Sequence, residues 1–525
     1  MKDEDDSLDK NLKFMARTSF MVFFTLIISK LLVYIYKVII ARYFGPDVYG
    51  LYSLGAMVAG LVVSVSSLGL SEGMLRFVAL YRGKNQVSKI EYLFKSSMRI
   101  LIFSSFFGGI LVYLLATPIS ITIFHNTSLI FYLKIFSISI PLAVLSYAIL
   151  SVVRSYEEIN WYLFISTVSR NLVELIFLII FIFIGLKDQA VVFSYVLGFG
   201  GMFLLSLWIL KSKIQRTFKD EKISKNEKKE VSSELLKYSL PLIFSTFIFI
   251  LMGWTDSFAI GYFKSSIEVG LYNAALPIAM LLTLAPELFI KLFFPLINKE
   301  YSKNNMELIS ELSKQVSKWI FLLNLPLFLV LMILPQASLN FIFGSDYLPA
   351  ANALRILALA YFVSSGLGAI TLRLISMTGR SKTILYDTLI VAVINVLLNL
   401  ILVPMRKIIF LDNSSGLVGA ALATLLSLII MSLILLFQSK RYTKIMPLRR
   451  SMLKLIIASI LPLTILLYIK NNFQITKIAF VFISFFFLLF YLLLSLLFKG
   501  FDRNDWIVID AIKNKLRKRK IKAND

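Results

Sequence analysis

Lys30, Tyr34 and Lys37 stand at i, i+4 and i+7 inside the apolar run 20–40. In a helix that spacing lines three polar side chains along one face. Two ammonium groups and a phenol on a common face can hold an anion and hydrogen-bond a polar solute. A charge at mid-bilayer costs roughly 2.5–3.5 kcal/mol on insertion scales, so such a face is expected to be wet. Lys30 lies about ten residues from either end of its run, too deep to snorkel easily, and a cavity role is expected for it. Lys37 is nearer one end, where its ammonium either faces a cavity or rises to the headgroups; both readings stand.

Further charges in apolar runs extend this set. Arg42 sits beside the Gly45-Pro46 turn and reads as an interface or gate residue. Arg170 is a further cavity candidate, although Glu174 follows at i+4 and could neutralise it within one helix. Glu72 and Arg76 share that spacing and read as an ordinary helix-end pair. Catalysis has little to work with: the one histidine is His125 in a loop, no metal-ligand spacing occurs, and no catalytic residue, metal or cofactor is expected. With no cysteine, disulfides and thiolate chemistry are excluded by count.

These residues must be carried by membrane-spanning helices. The chain has 525 residues, 58% of them hydrophobic, and a mean hydropathy of +0.81, a balance incompatible with a water-soluble surface. Hydropathy predicts spans near 18–40, 49–70, 96–118, 129–153, 161–185, 189–210, 235–260, 269–294, 316–334, 352–376, 384–404, 416–438, 452–469 and 476–498, about fourteen in all. The first is read as a retained span, since it leads into Arg42 and Gly45-Pro46, not a small-residue cleavage site. The net charge of +25 collects in short loops and the tail, which points to orientation in the bilayer and away from nucleic acid. Alternate loops hold about 24 Lys and Arg on one side and about 7 on the other, so both termini are expected to be cytoplasmic.

Tyr43-Phe44 followed by Gly50-Leu51-Tyr52 recurs as Tyr262-Phe263 followed by Gly270-Leu271-Tyr272. The repeat predicts two pseudo-symmetric six-helix halves, related about an axis along the membrane normal with the substrate between them, in an all-α membrane protein. The expected boundaries are 1–217 and 235–445 for the lobes, 218–234 for a basic cytoplasmic linker, 446–498 for the added helices, and 499–525 for a basic tail. Trp506, Ile509, Ile512 and Leu516 of that tail fall at helical intervals before a basic cluster, as expected for a segment lying on anionic lipid. The repeat offset sets Asp256 opposite Lys37, and the two are expected to pair as a gate in one conformation.

Ala41-Arg42-Tyr43-Phe44-Gly45-Pro46 with Tyr49-Gly50-Leu51-Tyr52 resembles the polysaccharide and lipid-linked oligosaccharide flippases of the multidrug/oligosaccharidyl-lipid/polysaccharide exporter superfamily. The second copy resembles that family's seventh and eighth spans, and Gly379-Arg380 before Asn395, Asn399 and Pro404 its tenth-to-eleventh connection. The resemblance covers residues 15 to 445. It implies two six-helix lobes around a central cavity, with two extra C-terminal helices, in a transporter that moves a polyprenyl-linked sugar from the cytoplasmic to the outer leaflet of the cell membrane by alternating access. Of the candidate charges, its motifs carry only Arg42 and Asp256; Lys30 and Lys37 rest on their own spacing.

No phosphate-cradling G-x-x-x-x-G-K-[ST] sequence is present, so gradients or membrane potential must drive transport. For a diphosphate of roughly two negative charges, 100 mV inside-negative favours outward movement by about 4–5 kcal/mol. A lipid-linked glycan, anionic membrane lipids and glycan-assembly enzymes are the expected partners. The competing readings are an ion-coupled multidrug exporter, which should prefer an acidic aromatic cavity, and a non-transporting scaffold for cell-envelope assembly.

Overall fold

In a computed structural model, residues 2–214, 223–408, 411–412, 415–498 and 500–501 are described. The tail from Trp506 to Lys522 lies outside the described residues, as do positions 215–222, which include the first residues of the basic linker.

The chain is helical almost throughout. The helices are α1 (Lys2–Ser66), α2 (Leu70–Gly83), α3 (Val87–Pro118), α4 (Leu129–Ser155), α5 (Ile159–Leu163), α6 (Arg170–Phe183), α7 (Gln189–Ile209), α8 (Lys225–Phe263) and α9 (Ser266–Ala279). They continue as α10 (Leu284–Ser302), α11 (Met306–Ile333), α12 (Pro335–Ile342), α13 (Ala351–Val363), α14 (Ala369–Met377), α15 (Ser381–Leu402), α16 (Leu417–Thr443), α17 (Ser451–Asn472) and α18 (Lys477–Leu497). A two-residue hairpin, Lys407–Ile408 against Leu411–Asp412, interrupts the connection from α15 to α16.

Among the described residues, thirteen helical runs are long and apolar enough to cross a membrane. The expected first and second spans are joined in one of them, Ile27–Ser66, which at 40 residues and 1.5 Å per residue has the length of two crossings. The break between them is Gly45, at φ 82° and ψ 178° inside α1. A side chain would strain that conformation, and Pro46 restarts the helix because its missing N–H falls where no intrahelical acceptor exists.

Two compact units form, Met1–Asn273 and Ala274–Asp525. In the first, α4 is the central helix, with α1, α2, α3 and α7 packed around it; its buried face includes Tyr132, Phe136, Ile140, Ile149 and Val153. Helix α8 belongs to this unit and packs on α1, α2 and α3. In the second unit α16 is central, against α13, α14 and α15. Its buried positions Gly419, Ala420, Ala421, Ala423, Thr424 and Ser427 are small, which lets helix backbones approach closely in lipid. Nearby, Asn324 Nδ2 donates to the Leu282 carbonyl and to Ser365 Oγ, both at 2.8 Å, satisfying a buried amide.

The repeat extends to helix boundaries. Tyr262 follows Tyr43 by 219 residues (262 less 43), and Met306 opens α11 at the same interval after Val87 opens α3 (306 less 87). Leu402 closes α15 at that interval after Phe183 closes α6 (402 less 183).

Candidate functional site

Arg170, Asn171 and Glu174 occupy the start of α6, directly after a π-helical turn over Phe164–Ser169. Such a turn inserts a residue and rotates the helix beyond it about its own axis. Here the three polar side chains reach α1 and α7: Asn171 Nδ2 donates to Ser29 Oγ at 3.1 Å, and Arg170 Nε donates to Glu174 Oε1 at 2.9 Å. The Arg170 guanidinium also lies 3.9 Å from the Phe199 ring centroid and 5.8 Å from that of Tyr195, a cation–π arrangement that suits arginine out of water. Glu174 is 3% exposed. It fits because residue 198 has no side chain: a Cβ on Gly198 would stand 2.2 Å from Glu174 Cγ. Of the glycines in α7, Gly198 and Gly201 therefore serve close packing, the latter against Val173, while Gly200 faces open space.

These groups line a cavity of about 480 Å³ within the first unit. From α1 come Ser29, Val33, Tyr36 and Lys37, and, beyond the Gly45 break, Tyr52, Ser53 and Ala56. Helix α4 contributes Ser139 and Tyr147, α7 Tyr195 and Phe199, and α8 Ile250 and Trp254. The aromatic wall is built edge to face: Tyr52 has ring centroids 5.8 Å from both Tyr36 and Tyr195, and Phe136 lies 4.2 Å from Tyr195 behind them. The Tyr36 hydroxyl is 3.1 Å from Ser194 Oγ. A Cys-free, His-poor wall of phenols, hydroxyls and three charged groups provides hydrogen bonding and electrostatics for a polar solute.

Of the expected cavity residues, Lys37 and Arg170 line this cavity together. Among the described residues the Lys37 ammonium makes no ion pair, although the Glu174 carboxylate lies within electrostatic reach. Lys30 is exposed and Tyr34 half-buried, and neither lines the cavity. The cavity face of α1 passes through Ser29, Val33 and Tyr36; with about 100° per residue, Tyr34 is turned well off it.

The expected gate residues lie elsewhere. Arg42 is exposed. Asp256 accepts a hydrogen bond from the Tyr272 hydroxyl at 2.5 Å, and it is not paired with Lys37 in this conformation. Close by, the two copies of the repeat touch through their glycines: a Cβ on Gly50 would fall 1.8 Å from the Ser266 carbonyl oxygen, and one on Gly270 1.9 Å from that of Pro46. Polar contacts surround the crossing. Ser266 Oγ donates to Asp47 and accepts from Asn126 Nδ2 at 2.9 Å, and the Tyr49 hydroxyl donates to the Asn273 carbonyl at 3.0 Å.

At the other end of α8, Gly69 and Gly73 of the first unit pack against Ser239, and Tyr81 donates to Glu234 Oε2 at 3.1 Å. Arg76 does not pair with Glu72 as its spacing predicts. It turns instead onto the Tyr238 ring of α8, 4.4 Å from the centroid, because a large aromatic face is offered there while Glu72 stays exposed.

The family described as "Polysaccharide biosynthesis protein" matches residues 15–299, and the MatE family matches residues 241–401. The uncharacterised membrane protein MJ1068 of Methanocaldococcus jannaschii is 24% identical over 78% of this chain and 81% of its own. The probable low-salt glycan biosynthesis flippase Agl15 of Haloferax volcanii is 28% identical over 46% of this chain and 47% of its own. A solved structure of the lipid II flippase MurJ, in an inward closed conformation, shares the fold with a TM-score of 0.69, over 92% of this chain and 99% of that one, at 18% identity. The chain belongs to the polysaccharide biosynthesis protein family, membrane transporters of the multidrug/oligosaccharidyl-lipid/polysaccharide exporter superfamily.

Proposed function

We propose that this protein flips a polyprenyl-linked glycan precursor from the cytoplasmic to the outer leaflet of the cell membrane by alternating access. The carrying observation is the Lys37 ammonium, which faces a cavity inside a membrane span and makes no ion pair among the described residues. A cation held within a membrane span is costly unless an anion visits it, and the phosphate of a lipid-linked glycan is such an anion. The phenols and hydroxyls of the wall suit a sugar headgroup, and the names of Agl15 and of MurJ support lipid-linked substrates. Lys37 holds the headgroup phosphate in this reading, with Arg170 beside it in the cavity wall and held to Glu174, Lys30 and Tyr34 on the same helix as Lys37, and Arg42 and Asp256 as gate residues. Both termini are cytoplasmic, and anionic lipids and glycan-assembly enzymes are the partners.

The test is a flipping assay in proteoliposomes holding a fluorescent polyprenyl-linked oligosaccharide, with a quencher outside. Lys37→Gln is expected to slow movement roughly 10- to 150-fold, the worth of about 1.5–3 kcal/mol for a hydrogen bond to a charged group. Lys30→Ala tests the cytoplasmic side of the set. Well-folded native protein that moves no lipid would refute the reading.

The match of residues 241–401 to MatE favours a second reading, export of lipophilic cations. An excess of positive charge in the cavity opposes it, since a cationic solute would be repelled. Uptake of a fluorescent lipophilic cation into inside-out vesicles distinguishes the two.

A further inference from the structure

We infer that the cavity selects a headgroup bearing a single negative charge, a glycan joined to its polyprenol through one phosphate in a phosphodiester, over the same glycan joined through a diphosphate. The inference rests on the flippase reading and specifies the substrate class of that same cavity.

Three charged side chains line the cavity: Lys37, Arg170 and Glu174. Arg170 is satisfied locally. Its Nε is bonded to Glu174 at 2.9 Å, and its guanidinium is covered by Phe199 at 3.9 Å. Glu174 is fixed in turn, 3% exposed and seated where Gly198 leaves room. Its carboxylate therefore cannot swing away to release the arginine for a second anion. Two cations against one carboxylate leave one positive charge, and Lys37 is where it stands. The other polar lining groups are hydroxyls, the Asn171 amide and the Trp254 indole N–H, which donate hydrogen bonds but bring no charge.

A glycosyl phosphodiester carries one negative charge at neutral pH, and its second ionisation is blocked by the ester. A glycosyl diphosphate carries two. Lys37 lies eight residues before the Gly45 break, about 12 Å along the helix and within the membrane-crossing run Ile27–Ser66. At such depth an unmatched charge costs roughly a hundredfold in occupancy. The phosphodiester leaves none unmatched; the diphosphate leaves one.

The experiment uses full-length protein in proteoliposomes and two probes, one fluorescent oligosaccharide carried on polyprenyl monophosphate or on polyprenyl diphosphate. Native protein is expected to flip the monophosphate probe at least about tenfold faster. Glu174→Gln keeps a hydrogen-bond acceptor for Arg170 but raises the cavity charge by one, so it should move the preference toward the diphosphate probe by about tenfold or more. Lys37→Arg should retain the native preference and Lys37→Gln should lose it, which keeps the test sharp if the Glu174 variant fails to fold. Native protein that flips the diphosphate probe as fast or faster overturns the inference and leaves the flippase reading standing. A folded Glu174→Gln variant that slows both probes equally also overturns it. Movement of neither probe by folded native protein refutes the flippase reading and this inference with it.

Discussion

Gly270→Ala tests whether the crossing of the two repeats is a gate. A Cβ at position 270 would stand 1.9 Å from the Pro46 carbonyl oxygen, 2.9 Å from its carbon and 3.1 Å from the Gly50 nitrogen. Ordinary contact begins near 3.4 Å, so α9 and the second half of α1 must part by about 1.5 Å, and backbone atoms cannot rotate aside as a side chain would. Overpacking of this kind costs about 1–3 kcal/mol. The same separation stretches the Asp47–Ser266 bond and the Tyr49–Asn273 bond, the latter now 3.0 Å, past hydrogen-bond reach, adding about 0.5–1.5 kcal/mol for each. A total near 2–6 kcal/mol shifts a two-state balance by roughly 30-fold to more than ten-thousandfold. The chain has no cysteine, so a single Ser53→Cys in the cavity wall, at a position 3% exposed, reports opening without background. Maleimide labelling at this site is expected to accelerate at least about tenfold in Gly270→Ala, with Gly50→Ala giving the same direction. Unchanged labelling together with an unchanged melting temperature would show that the helices do not pack through these glycines. A lower melting temperature with unchanged labelling would show that the crossing is fixed structure and refute gating.

Three other outcomes are expected. Gly198→Ala places a Cβ 2.2 Å from Glu174 Cγ, so it should displace the carboxylate, break the ion pair with Arg170 and lower stability by about 1–3 kcal/mol in thermal melts. Arg170→Ala, which leaves Glu174 buried alone, should cost about 3–5 kcal/mol, and the double variant Arg170→Met with Glu174→Leu should recover most of it; equal losses in both would argue against a buried pair. Crosslinking Lys37→Cys to Asp256→Cys should stop flipping reversibly if the two groups meet during the cycle, while full activity in the crosslinked protein would remove Asp256 from the gate.

Apolar run length and the Gly45-Pro46 dipeptide were enough to foresee nearly every membrane-crossing helix, because hydrocarbon thickness fixes how many apolar residues a span needs. The spacing of Arg170 and Glu174 foretold their pairing, since i and i+4 are neighbours on any helix. Other features depend on tertiary register. The cavity face of α1 is set by where α4, α6 and α7 pack, and it runs through Ser29, Val33 and Tyr36 with Lys37 at its edge, so the Lys30–Tyr34–Lys37 row overestimates what one face presents. The aromatic wall of Tyr36, Tyr52 and Tyr195 left no periodic signal, because the first two lie on opposite sides of the Gly45 break and Tyr195 comes from a helix more than a hundred residues further on. Arg76 misled because i,i+4 spacing says which carboxylate is within reach but not which aromatic ring a neighbouring helix offers. The glycine cluster of α7 did carry a signal: a small residue within an apolar helix marks a close approach, and at Gly198 what approaches is Glu174.

The internal repeat places different chemistry on one scaffold. The register that relates Tyr43 to Tyr262 relates Lys37 to Asp256, and with the one-residue slip Tyr52 corresponds to Tyr272. In the second copy the phenol donates to the carboxylate at 2.5 Å, and the two satisfy each other. In the first copy the carboxylate is replaced by an ammonium, to which a phenol cannot donate, and Lys37 and Tyr52 both line the cavity. A single exchange of charge sign at equivalent depth thus closes one copy on itself and leaves the other in want of an anion. Lys37→Asp would extend the second copy's pattern to the first. It should draw the Tyr52 hydroxyl onto residue 37, reverse the cavity charge and abolish transport of an anionic lipid while leaving the fold intact. Retained flipping in that variant would show that the cavity charge does not select the substrate.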